Sequence, residues 1–410
     1  MLASFLKISL RFLWRKRLFS GFNFLGLWVS YTALILIGIY LFRETHYESF
    51  HQKSERIFRV AHHTTGENGF ETHWARTYLD FVNQMPEEVP GISHLIRFQN
   101  HQRRFLKIGE QSYRPPHTYS TDAEVFEVFD FPLLRGDPHT ALREPHSIVL
   151  SASLAKQYFG DLDPMGQAVE IMGEYNLEAE VHTVTGVMED LPAHTHLPVD
   201  ALLSFQDPEE RAWWAYVYIL LEPGIKGEQV QSQLASFVAS HQEETTNNQT
   251  HLELQALPDI HLDSHLAREI VPNGNRLYVH ILMGVALFIW LIALINYLNL
   301  SSALSLQRQK EVGLHRVLGA QKGQLMRFAW LESMGFHAMA GLLSLGTAFF
   351  LMPWWKSTTG IEWETGWGSL GLPTLGIACL IGGLAGIYPA SVLVRASTQQ
   401  VFRAASKQSR

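Results

Sequence analysis

A single cysteine, Cys379, stands in 410 residues, so no intrachain disulfide framework exists and no thiolate zinc site can be assembled. Charge is scarce: Lys, Arg, Asp and Glu make up 17% of the chain against 47% hydrophobic residues, which excludes a chain kept disordered by its charge. Pro and Gly number 17 and 30, ordinary for this length, so collagen-like and low-complexity classes fail as well. No G-x-S-x-G elbow occurs, and the nearest glycine-rich pieces, GAQKG and GIYPA, lack the G-x-x-x-x-G-K-[ST] spacing whose amides cradle phosphates. The chain is therefore expected not to be an enzyme and not to hydrolyse ATP by itself. Among 20 histidines the best pairs are His194 with His196 and His261 with His265. Neither has a third convergent ligand or an H-E-x-x-H frame, and they read as solvated loop histidines, with Pro258 arguing against a helix at the second pair. No cofactor and no metal are expected. Basic patches interleaved with aromatics are missing from the long middle segment, so nucleic acid is not an expected partner.

What the sequence does have is four long uncharged windows. The first lies between Arg17 and Arg43 and the second between Arg276 and Arg308; the third runs from Glu332 to Lys356 and the fourth from Glu364 to Arg395, densest at Leu372 to Leu393. Each reaches the roughly 20 apolar residues a helix needs to cross a bilayer. A cleavable signal peptide competes for the first window, but its apolar run is long for a signal core and no small-x-small cleavage site follows.

Charge orients these spans. Lys7, Arg11, Arg15, Lys16 and Arg17 precede the first; Arg308, Lys310, Arg316, Lys322 and Arg327 lie between the second and third; Arg395, Arg403, Lys407 and Arg410 follow the fourth, with Glu311 and Glu332 the acids among them. By the positive-inside rule both termini and the 307–327 loop are expected in the cytoplasm, and the long segment after Arg43 outside. The expected order is a cytoplasmic amphipathic segment (1–17), a span (18–42), an extracytoplasmic domain (43–276), a span (277–306), a cytoplasmic loop (307–327), a span (328–355), an outer loop (356–370), a span (371–394) and a cytoplasmic tail (395–410). The fold class is thus an integral membrane α-helical protein of four transmembrane helices, with a large α+β extracytoplasmic domain inserted between helices 1 and 2.

Within the middle segment, IFRVAHH, SIVLS, EVHTVTGVM and YVYILL read as strands, KGEQVQSQLASFVASHQ as an amphipathic helix, and Ser151 as the cap of a helix ASLAKQYF ending at Gly160. Two lobes with a break near Pro115 to Pro145 are one arrangement this allows. After Phe42 the first helix either continues through RETHYESFHQKSERIF as a stalk or gives way to an ordinary surface helix.

The loop QRQKEVGLHRVLGAQKGQLMRFAWLES carries the strongest signal. A mere connection between spans has no need of Val312, Leu314, Val317 and Leu318, so these apolar residues suggest a docking surface; Gly319 fits a helix C′ position. In the spans, Asn296, Asn299, Ser301 and Ser302 form a polar patch, and Gly382, Gly383 and Gly386 permit close helix packing. His337 suits a hydrogen bond to a carbonyl.

The stretch INYLNLSSALSLQRQKEVGLHRVLGAQKGQLMRFAWLES, with K-E-V-G and L-G-A in order, and the closing GGLAGIYPASVL resemble the FtsX-like and MacB-like permeases of ATP-binding-cassette systems. LKISLRFLWRKRLFSGFNFLGL, SIVLSASLAKQYFGDLDPMGQAVEI and VTGVMEDLPAHTHLP resemble the Bacteroidetes forms. The resemblance implies a MacB-like core domain outside a bacterial inner membrane and a separate ABC ATPase as partner. It further implies a second permease chain or homologous half, and a periplasmic adaptor or hydrolase as an additional partner beside the lipid bilayer. It assigns Lys310, Glu311, Val312, Gly313, Leu314, His315, Arg316, Val317, Leu318, Gly319 and Ala320 to ATPase coupling. The implied function is coupling of ATP hydrolysis in that partner to movement of the outer domain, for export or mechanotransmission; the alternative is a non-transporting FtsX-like scaffold that regulates an extracytoplasmic enzyme. Many relatives fuse two such halves, whereas this chain ends at Arg410 after one.

Overall fold

The computed structural model describes residues 17–66, 69–78, 81–100, 104–108, 111–173, 179–206, 214–241, 249–308, 312–313, 316–317, 319–361, 363 and 366–394. They fall into two units, one of residues up to Arg43 and from Leu277 onward, the other of Glu44–Arg276.

The first uncharged window forms α1 (Arg17–Thr45). The helix stops at Thr45 rather than continuing as a stalk; residues 47–50 turn, and a single 3-10 turn, Ser54–Arg56, leads into the sheet. Glu48 is the reason. It takes φ +58°, a conformation that a non-glycine residue holds only under tertiary constraint. Its N–H donates to the His194 carbonyl at 3.1 Å, and its buried carboxylate accepts from the His196 backbone N–H and from Thr195 Oγ1, pairing also with His196 Nδ1 at 2.8 Å and His51 Nε2 at 3.4 Å. Side-chain contacts across the domain thus displace the next helical turn.

The domain is built on one sheet of β1 (Ile57–Thr65), β2 (Glu71–Trp74), β3 (Ile92–Asn100), β4 (Arg104–Ile108), β5 (Gln111–Tyr113), β6 (Thr118–Thr121), β7 (Leu133–Arg135), β8 (Ser147–Ser151), β9 (Ala168–Gly173), β10 (Glu180–Met188), β11 (Ala201–Ser204), β12 (Tyr216–Leu221) and β13 (Gln249–Ala256). Among the described residues its order is β13-β1-β12-β3-β6-β11-β8-β10-β9-β4-β5, with β2 on β1 and β7 on β10. Two pairs, β6 with β11 and β8 with β10, run parallel within an otherwise antiparallel sheet. No lobe boundary falls between Pro115 and Pro145, because that stretch supplies β6, hydrogen-bonded between β3 and β11 in mid-sheet.

Both faces of the central strands are covered, which explains their unbroken apolar runs. In β12, Tyr216, Tyr218 and Leu220 enter one core while Val217, Ile219 and Leu221 enter another; the period of two sends alternate residues to opposite faces. In β8, Val149 joins the first core, and Ile148 and Leu150 join a third beneath α2 (Ala152–Phe159). Ser151 Oγ caps that helix by accepting from the Leu154 N–H. α3 (Gly227–His241) buries Val230, Leu234, Phe237 and Val238, one stripe at helical spacing, each worth about 1.5–3 kcal/mol of burial.

Of the four paired histidines His265 is an exposed loop residue and His194 is half-buried, whereas His196 and His261 are buried. His196 is buried between Glu48 and the Tyr218 hydroxyl, 2.7 Å away. His261 lies in α4 (Leu257–Asp263), which forms despite Pro258 because the proline occupies the first turn, where a missing N–H costs nothing. Its Nε2 is 3.0 Å from Glu44 Oε2. Asp263 and Asp259 of the same helix bind Arg276 at 2.6 and 3.1 Å, so α4 grips the residues at both ends of the domain segment. Among the described residues no three His, Cys, Asp or Glu side chains gather as metal ligands.

Beyond the domain come α5 (Arg276–Gln307), α6 (Lys322–Thr359) and α7 (Trp367–Val394). Together with α1 they are four helices long and apolar enough to cross a membrane.

Candidate functional site

The loop from α5 to α6 is fastened at its base. Arg308, one residue past α5, donates to Glu332 of α6, with Nη1 3.0 Å from Oε1 and 2.9 Å from Oε2. The Val312 N–H donates to the Arg308 carbonyl at 3.0 Å, and Val312, 3% exposed, packs on Leu325 of α6 with Ala320 and Ala329 beside it. Val312 therefore serves the inside of the loop. Gly319 has φ +92° and its N–H bonds the Arg316 carbonyl; this left-handed residue ends the turn, as a glycine readily does. Gln321 then begins α6, its N–H accepted by the Gln324 side chain at 3.3 Å.

These contacts account for some of the residues expected to couple to an ATPase and leave others exposed. Gly313 is buried, Arg316 is partly buried, Ala320 lies against the Val312–Leu325 contact and Val317 is 61% exposed. Lys310, Glu311, Leu314, His315 and Leu318 lie outside the described residues, as do the terminal segments 1–16 and 395–410.

Behind the loop the helices are tied by polar bonds between otherwise apolar surfaces. Tyr297 of α5 donates to Ser333 Oγ of α6 at 2.6 Å, and that hydroxyl donates to the Gly382 carbonyl of α7 at 2.7 Å, so one serine joins three helices. Trp330 Nε1 reaches the Gly383 carbonyl at 2.7 Å. The glycines make this approach possible: a Cβ at Gly386 would stand 2.6 Å from Ser333 Cβ, one at Gly382 would stand 2.9 Å from His337 Cβ, and one at Gly383 would stand 3.3 Å from the Trp330 ring. The contact lies within one chain. His337 Nδ1 is 2.9 Å from the Ser333 carbonyl. Asn296 approaches α1 at Gly26, where a Cβ would sit 3.0 Å from Asn296 Nδ2, although Asn296 and Asn299 are both exposed. The Arg308–Glu332 pair was not distinguishable in sequence from ordinary charges flanking two spans; the one hint is that each stands at the edge of an uncharged window and their signs are opposite.

The MacB-like periplasmic core domain matches residues 20–237, and the FtsX-like permease C-terminal region matches residues 283–398. No curated protein matches the chain. Among solved structures the chain is similar to a domain of a Porphyromonas gingivalis protein assigned as a permease, at 22% identity over 50% of this chain and 91% of that one, with a TM-score of 0.43. It is also similar to the periplasmic region of MacB from Actinobacillus actinomycetemcomitans (11% identity, 48% of this chain and 88% of that one, TM-score 0.35). A third is the extracellular domain of the noncanonic ABC-type transporter YknZ from Gram-positive bacteria (13% identity, 48% and 99%, TM-score 0.35). The core-domain match alone spans more than half of the sequence and the permease match covers most of α5 and all of α6 and α7, so the chain belongs to the MacB-like and FtsX-like permeases.

Proposed function

We propose that this protein is the permease subunit of an ATP-binding-cassette complex in a bacterial inner membrane, coupling ATP hydrolysis by a separate ATPase subunit to movement of its outer domain for export or mechanotransmission. In this reading both termini and the α5–α6 loop face the cytoplasm, Glu44–Arg276 forms the extracytoplasmic domain, and two permease chains, or one chain and a homologous half, serve a paired ATPase. Residues 310–320 are the docking segment.

The observation that carries the reading is the loop. Ion pairing at Arg308–Glu332 and packing of Val312 on Leu325 give it a fixed base, while Val317 keeps an apolar side chain exposed. A loosely attached loop would absorb a partner's displacement within itself, whereas one anchored on α5 and α6 passes it to the helices. The family membership supports an ATPase as that partner.

The test is association and coupling in the full complex. Val317→Asp and Leu318→Asp each introduce a charge that docking would desolvate, at a cost of about 1–3 kcal/mol or more, enough to weaken association roughly tenfold or beyond. Copurification of the ATPase should fall, and a nucleotide-driven change in a spin-label distance within the outer domain should disappear. If both variants insert correctly and retain both readouts at wild-type level, the loop is not the coupling element.

A further inference from the structure

The polar face at the loop end of α5 borders a half-open pocket. Tyr297, Ser301 and Ser305 of α5, Ser20 and Asn23 of α1, and Ser333 of α6 line a cavity of about 60 Å³, with the Arg308–Glu332 pair also in its wall. Ser20 and Asn23 are three apart on α1 and so share a face. Among the described residues Ser20 Oγ and Asn23 Oδ1 have no hydrogen-bond partner, although the two residues are only 8% and 3% exposed. A buried polar atom left unsatisfied costs about 1–3 kcal/mol. Two of them lining one polar cavity call for a common ligand.

Charge and size select that ligand. The charged residues in the lining are Arg308 and Glu332, bonded to each other, so there is no net charge to hold an ion against its hydration. The cavity has room for only a few water molecules at about 10–15 Å³ each, and each water needs two to four polar partners, which serine, asparagine and the ion pair supply. We infer that this cavity is a hydration site, in which ordered waters satisfy Ser20 and Asn23 and bridge them to the Arg308–Glu332 pair at the base of the loop. The waters solvate an ion pair that lipid could not, and they connect α1 to the junction of α5 and α6.

Hydroxyl-radical labelling of the full-length protein in nanodiscs, generated by synchrotron radiolysis of water, tests this, since bound water labels its immediate neighbours. Tyr297 is 4% exposed, and Tyr218, at 0% and hydrogen-bonded to His196 in the outer domain, is the buried control. Tyr297 should be modified about threefold faster than Tyr218 or more, and Asn23→Leu, which fills the space and removes an acceptor, should bring it down to the control rate. Ser20→Val is the second variant, expected to lower the Tyr297 rate in the same direction should Asn23→Leu fail to insert. Equal rates for Tyr297 and Tyr218 in the wild type would overturn the inference, as would a Tyr297 rate unchanged in a correctly inserted variant. A melting temperature that shifts specifically when sodium replaces choline would also overturn it, showing an ion in place of water.

Discussion

Glu48 shows how one side chain decides a local structure that sequence patterning leaves open. Burial opposes its ionisation, but His196 and His51 beside it outweigh that penalty and hold its carboxyl well below the usual carboxylate range. A carboxylate depressed in the folded state contributes stability that is fully present above its unfolded value of about 4.3 and fades as pH falls toward the folded value. Glu48→Gln should therefore lower the unfolding midpoint of the protein at neutral pH, by the equivalent of about 1.5–3 kcal/mol for lost charged hydrogen bonds. The gap between variant and wild type should narrow below about pH 4; a gap independent of pH from 7 to 3 would refute the ionic account. Arg59 offers a second case. It is wholly buried on β1 and bonded to Glu269 at 2.6 Å, with Gln255 and Ser264 also accepting. Arg59→Ala would leave Glu269 without its counter-charge and should cost about 3–5 kcal/mol in chemical denaturation. Nothing in IFRVAHH marks that arginine as a core residue, since its partners come from some 200 residues further along.

At the scale of elements, α6 and α7 meet through glycines whose roles differ with position. Gly386 faces Ser333 so closely that a Cβ has no room, whereas a Cβ at Gly376 would meet nothing within 4 Å. Gly386→Val should force the helices apart and destabilise by about 1–3 kcal/mol through overpacking. Gly376→Ala should be neutral or raise stability by up to about 1 kcal/mol through helix propensity. Thermal unfolding of the two variants in one detergent compares them directly; equal destabilisation would mean that packing between these helices does not set the difference. A GxxxG spacing announces close approach but not its target, and only the fold assigns Gly382 and Gly386 to α6 of the same chain. The stop of α1 at Thr45 and the start of α4 at Leu257 likewise follow from contacts, although the Pro258 position at α4 is consistent with local capping rules.

For the whole molecule, the charge distribution predicts a sidedness that the fold leaves undetermined. In a Cys379→Ala background, Phe70→Cys should be labelled by a membrane-impermeant thiol reagent once the outer membrane is opened, and Gln321→Cys only after the inner membrane is disrupted. Phe70 is exposed, so failure to label it could not be blamed on burial. Labelling of Gln321→Cys first would invert the topology, because moving Arg or Lys through a bilayer centre costs about 2.5–3.5 kcal/mol on insertion scales and the basic clusters would then be on the wrong side.

The sequence by itself determined the four spans, the insertion of a mixed α/β domain between the first two, and the strands at IFRVAHH, SIVLS, EVHTVTGVM and YVYILL, because hydropathy length and local periodicity depend only on neighbours along the chain. It also made the loop after α5 stand out, through apolar residues where a simple connection needs none. Tertiary structure alone decided that Val312 faces Leu325 rather than a partner, that Arg308 pairs with Glu332, that His196 is buried on Glu48, and that Ser20 and Asn23 line one cavity with Ser301. Each of these joins groups between about 13 and 280 residues apart, and such pairings depend on how finished elements pack, which no local pattern encodes.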